Sequence, residues 1–71
     1  MALYHLQKNN RCMIEKLPVN HLLKSLGVRE GITVSVMSRQ PLGGPIVIQI
    51  GKRSIAIARD VAEQILVKEV N

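Results

Sequence analysis

Ile46-Val47-Ile48-Gln49-Ile50-Gly51-Lys52-Arg53-Ser54-Ile55-Ala56-Ile57 decides the fold of this chain. On either side of Gly51-Lys52, apolar residues recur at every second position, the period of a strand with one buried face. Gly51-Lys52 fits a two-residue type II′ hairpin loop, with glycine at the first central position. That loop fixes the register. Ile48 falls opposite Ile55 and Ile46 opposite Ile57 on one face, with Val47 opposite Ala56 and Gln49 opposite Ser54 on the other. A slip of one residue would turn the isoleucines to the wrong side, so the pattern specifies a single pairing.

Working outward, Ile32, Val34 and Val36 alternate with Thr33 and Ser35, giving another strand rich in β-branched residues. Between it and the hairpin, Arg39 to Pro45 contains Pro41, Gly43, Gly44 and Pro45, which forbid a regular element. Upstream, Val19, Leu22, Leu23 and Leu26 fall at i, i+3, i+4 and i+7, a helical stripe opened by Pro18. Asn20, His21, Lys24 and Ser25 take the opposite face. Gly27 follows, where a helix C-terminus favours a residue free to adopt positive φ. The helix is too short to stand alone and must pack on the rest of the chain. Before it, Asn9-Asn10 marks a turn and Arg11 to Glu15 a short strand. Towards the C-terminus, Asp60 is expected to N-cap a helical turn, with Glu63 completing a capping box. Ile65 to Val70 then forms a last strand with Ile65 and Val67 on one face. The chain is therefore mainly β. Five short strands, with a short helix after the first, favour a partly open, highly bent barrel that limits exposed edges.

Composition narrows the function. The 71 residues form one domain, 46% hydrophobic, with Tyr4 the only aromatic. Grooves for proline-rich peptides and base-stacking platforms are lined by aromatics, so neither can be built here. The net charge of +5 attracts phosphate, acidic protein or anionic membrane, but its lysines and arginines are scattered, with only Lys52-Arg53 adjacent. A nucleic-acid binder would cluster them and lose affinity steeply with salt. No apolar run is long enough to span a membrane, and Met1 to His5 is not expected to be a secretion signal. A single cysteine can form no internal disulfide, and a reducing, cytoplasmic setting is expected.

Chemistry is sparse. Cys12 with His5 or His21 is the one possible thiol–imidazole pairing, but Cys12 lies within an apolar triplet, where a thiol behaves as a small hydrophobe. The spacing of His5, Cys12 and His21 matches no zinc signature. Glu15, Glu30, Asp60, Glu63 and Glu69 lie at turns or strand ends, where a carboxylate is solvated. Gly43-Gly44 lacks the surroundings of a phosphate-binding loop. No catalytic residue, metal ligand or cofactor site is expected. The notable feature is Leu42, an apolar residue held between Pro41 and two glycines on a stiffened loop, where the ordering cost of binding is low. Arg39, Leu42, Gly43, Gly44, Lys52 and Arg53 are the candidate partner-binding residues.

Three stretches also resemble a known family. Leu26-Gly27-Val28-Arg29-Glu30-Gly31-Ile32-Thr33-Val34 resembles the "LG-x-x-x-G-x-x-V" segment of FeoA, the small protein of bacterial ferrous iron uptake. Arg39-Gln40-Pro41-Leu42-Gly43-Gly44-Pro45-Ile46 resembles that family's "R-x-PLG-x-P" loop. Ile55-Ala56-Ile57-Ala58-Arg59, with Ala62 and Ile65-Leu66-Val67, is similar to its ending. The resemblance, over residues 17–70, implies an SH3-like barrel and a single FeoA-like domain over 1–71. It also implies a non-catalytic, cytoplasmic accessory or regulatory role through contact with FeoB, the membrane Fe(II) transporter with a G-domain. A monomer touching the membrane only through that partner is expected. The same fold occurs as the C-terminal module of metal-dependent repressors, which implies the alternative of a metal- or nucleic-acid-binding regulatory module. A chain opening on Met1 is expected to be the stand-alone form.

Overall fold

The isoleucine hairpin forms in the register its sequence demands. In the computed structural model, which describes residues 1–40 and 42–70, β3 (Ile46–Ile50) pairs with β4 (Arg53–Ile57). Ile46 lies opposite Ile57, Val47 opposite Ala56, Ile48 opposite Ile55 and Gln49 opposite Ser54. Of the two turn residues only Gly51 has positive φ, +59°, as a type II′ loop requires.

Around this hairpin, β1 (Arg11–Lys16), β2 (Thr33–Arg39) and β5 (Leu66–Val70) complete an antiparallel sheet in the order β4-β3-β2-β1-β5. The five strands form the mainly β arrangement expected, and the ladder stays open between β4 and β5. The reason lies in the connection. β4 runs into α2 (Arg59–Ala62), which carries the chain across to the opposite edge and buries Ala62 and Ile65 on the way. Register shifts between Ile14 and Lys16, and between Val36 and Ser38, add bends. The molecule measures 26 × 26 × 24 Å, and so the sheet curls around its contents rather than lying flat.

Those contents are Cys12, Ile14, Val34, Val36, Ile46, Ile48, Ile57 and Val67 from the strands, joined by Leu23, Val28, Ala62 and Ile65. Leu3, Tyr4 and Leu6 complete the core. Leu3 and Tyr4 belong to a 3-10 turn over Leu3–His5 and Leu6 is its C-cap, an element that no periodicity announces. The turn is held in place because the Leu3 amide donates to the Ile65 carbonyl at 2.8 Å, and the Val67 amide to the Met1 carbonyl at 2.7 Å.

Two expectations need correction. The first helix, α1, is only His21–Ser25, and Asn20 is its N-cap rather than part of a polar face. Asn20 Oδ1 accepts from the Leu22 and Leu23 amides at 2.9 and 3.4 Å. Of the apolar stripe only Leu23 is fully buried and Leu26 partly so; Leu22 is 64% exposed and Val19 fully exposed. Five residues make barely more than one turn, too short to hold a stripe over seven positions against the sheet. Asp60 is not a cap. Ala58 occupies the N-cap of α2 without a side-chain hydrogen bond, and Asp60 lies within the first turn, where its charge favours the helix dipole. Glu63 reaches Arg59 Nε at 3.4 Å instead of returning to the N-cap.

Gly27 behaves as expected. With φ of +86° it follows the C-cap Leu26; its amide donates to Lys24 and the Val28 amide to Leu23, which together form a Schellman motif. Val28 and Leu23, the apolar pair that accompanies this motif, are both buried.

Candidate functional site

β2 ends at Arg39 and β3 begins at Ile46, and these two residues pair directly, so the 40–45 segment leaves the sheet as a loop anchored at a fixed base. Pro41 lies outside the described residues. Leu42 projects from the loop with 98% of its surface exposed. Gly43 follows with φ of +80°, a conformation L side chains rarely adopt. The Tyr4 hydroxyl donates to the Gly44 carbonyl at 3.0 Å, so the sole aromatic residue, itself in the core, ties the N-terminal turn to this loop.

Three cations gather here. The Arg39 guanidinium carbon lies 5.3 Å from the centroid of the Tyr4 ring, and that of Arg59 5.7 Å from the same centroid. Lys8 lines the same cleft, with Gly43 at its edge. A Cβ built on Gly43 would stand 2.9 Å from Arg59 Nη1, so the bare glycine leaves room for that guanidinium.

Of the candidate partner-binding residues, the structure brings Arg39, Leu42, Gly43 and Gly44 together. Lys52 and Arg53 belong to the opposite end of the hairpin, roughly 17 Å away at the rise of an extended strand. Arg53 has a local task there. Its Nη2 donates to the Leu26 carbonyl at 2.8 Å, beside the glycine that ends α1. Sequence reasoning missed Lys8 and Arg59. They are 51 positions apart, with no shared motif, and meet only because the N-terminal turn and α2 pack together. Tyr4, as the lone aromatic, was the one available signal.

The other candidate chemistry is dispersed. Cys12 is fully buried, opposite Glu69 in the β1–β5 ladder. Burial, with the Glu69 charge adding, pushes its thiol up to about 11, away from the thiolate a nucleophile requires. His5 and His21 are exposed on separate elements. Among the described residues, no three His, Cys, Asp or Glu side chains converge as a metal would need. No helix among them is long and apolar enough to cross a membrane.

The class defined by this geometry is a small β domain that presents one glycine-containing loop from an anchored base. The FeoA domain model matches residues 1–69, and the chain belongs to the FeoA family, which is related to iron uptake. No curated protein matches it by sequence. Among solved structures, it resembles an iron uptake regulatory protein (FeoA) with a TM-score of 0.89 at 24% identity, covering 99% of this chain and 96% of that one. Iron(II) transport protein A from Clostridium thermocellum gives a TM-score of 0.90 at 31% identity, over 99% of this chain but only 46% of that one. A manganese-dependent transcriptional repressor shares the fold, with a TM-score of 0.89 at 15% identity over 99% of this chain and 41% of that one.

Proposed function

We propose that this chain is a single-domain, cytoplasmic accessory protein of ferrous iron uptake that acts by docking on a FeoB-type membrane transporter. It performs no catalysis of its own and reaches the membrane through that partner. The observation that carries this reading is Leu42, 98% exposed at the tip of a loop anchored by the Arg39–Ile46 pair and the Tyr4–Gly44 hydrogen bond. An apolar side chain so presented gains burial only by meeting another surface, and its low ordering cost favours association. Arg39 flanks it as a rim contact. Lys52 and Arg53, at the other end of the hairpin, add to the net positive charge that steers approach to an acidic surface rather than to the contact itself. The direct test is affinity purification of the tagged chain from membranes of its own cell. Recovery of the Fe(II) transporter with its G-domain is expected, and its consistent absence under conditions that retain other peripheral proteins would contradict the proposal.

A further inference from the structure

The cleft over Tyr4 is lined by three cationic side chains. Arg39 and Arg59 converge on one aromatic ring from different elements, and Lys8 adds a third positive charge. Each guanidinium carries five N–H donors in a planar fork. Within the described residues, Arg39 donates no side-chain hydrogen bond, and Arg59 donates only through Nε, to Glu63. Both guanidiniums lie within cation–π distance of the Tyr4 ring, and like charges lining one cleft repel until an anion joins them. Among the described residues no carboxylate lines the cleft, and Glu63 engages Arg59 one helical turn on, at 3.4 Å. Gly43 completes the cradle, since any side chain there would press on Arg59.

We propose that this cleft is a binding site for a phosphoryl-type oxyanion, gripped by Arg39 and Arg59 and neutralised further by Lys8. A monocarboxylate would be satisfied by one fork, whereas two guanidiniums and a lysine match the several oxygens and the double charge of a phosphoryl group. The cleft encloses about 620 Å³ and is open to solvent, so the group can be attached to a larger molecule. This site is independent of Leu42, whose side chain points to solvent.

The test is an NMR titration of the intact chain with pyrophosphate at constant ionic strength. Saturable shifts are expected at Tyr4, Arg39, Gly43 and Arg59. Arg39→Gln and Arg59→Gln should each weaken binding about tenfold, the loss of one charge-assisted contact. Lys52→Gln and Leu42→Ala should leave it unchanged, separating this site from the docking proposal. A second arm uses vesicles of phosphatidylglycerol against phosphatidylcholine. Arginine-dependent binding to the former assigns the group to a lipid headgroup; pyrophosphate binding without vesicle binding assigns it to a free phosphorylated molecule. Three results would overturn the site: no saturable shifts, shifts that survive both arginine substitutions in folded protein, or binding of a polyglutamate peptide but not pyrophosphate.

Discussion

Replacing Gly27 with alanine tests whether Arg53 is a structural residue or one free to steer a partner. Gly27 has φ of +86°, and a Cβ there would lie 2.6 Å from Arg53 Nη2. Two costs follow. Holding alanine in the left-handed region costs roughly 1–2 kcal/mol. The guanidinium must also withdraw, giving up its hydrogen bond to the Leu26 carbonyl and its favourable position at the end of α1. At an exposed site these are worth about 0.5–1 kcal/mol together. Gly27→Ala should therefore lower stability by about 2 kcal/mol, and Arg53→Ala by about 0.5–1. For a domain of this size, 1 kcal/mol corresponds to roughly 4–8 °C in Tm. The double variant should be less destabilised than the sum by about 0.5–1 kcal/mol, because alanine at 53 removes the obstacle before alanine at 27 meets it. Thermal or urea unfolding of the four proteins gives the cycle. Strict additivity, or a Gly27→Ala protein as stable as the parent, would refute the reasoning.

Other expectations are as direct. The Cys12 thiol is raised by burial from 9.0 to about 11, so the unfolded chain loses its proton first as pH rises. The stability from keeping it neutral is complete below pH 9 and is lost between pH 9 and about 11; wild type should show this fall in Tm and Cys12→Ala should not. Asn20→Ala should cost about 1 kcal/mol by freeing the two amides that its side chain caps, with amide exchange rising at Leu22 and Leu23.

What could be read in advance was whatever short-range patterns control. The hairpin register, the glycine that ends α1 and the buried face of β5 each follow from spacing within a few residues. The place where the sheet stays open, the bulges at Ile14/Lys16 and Val36/Ser38, and the contribution of Leu3, Tyr4 and Leu6 were not legible, because they arise from contacts distant in sequence. The helical stripe misled for a related reason: Val19 and Leu22 fit its period but lie beyond what one turn can press onto the core. At the candidate site, the loop and its protruding leucine were evident from Pro/Gly composition. The cations around Tyr4 were not, since the fold assembles them from the N-terminal turn, the end of β2 and the start of α2.

Whether Leu42 anchors the chain on the transporter is tested by measuring binding of Leu42→Ala to the isolated cytoplasmic part of that partner alongside its melting temperature. The side chain is 98% exposed, so truncation should leave Tm within the small range typical of surface substitutions. A desolvated apolar anchor is worth about 2 kcal/mol or more, so affinity should fall about 30-fold. Unchanged affinity in a folded Leu42→Ala protein would mean that Leu42 is not the anchor.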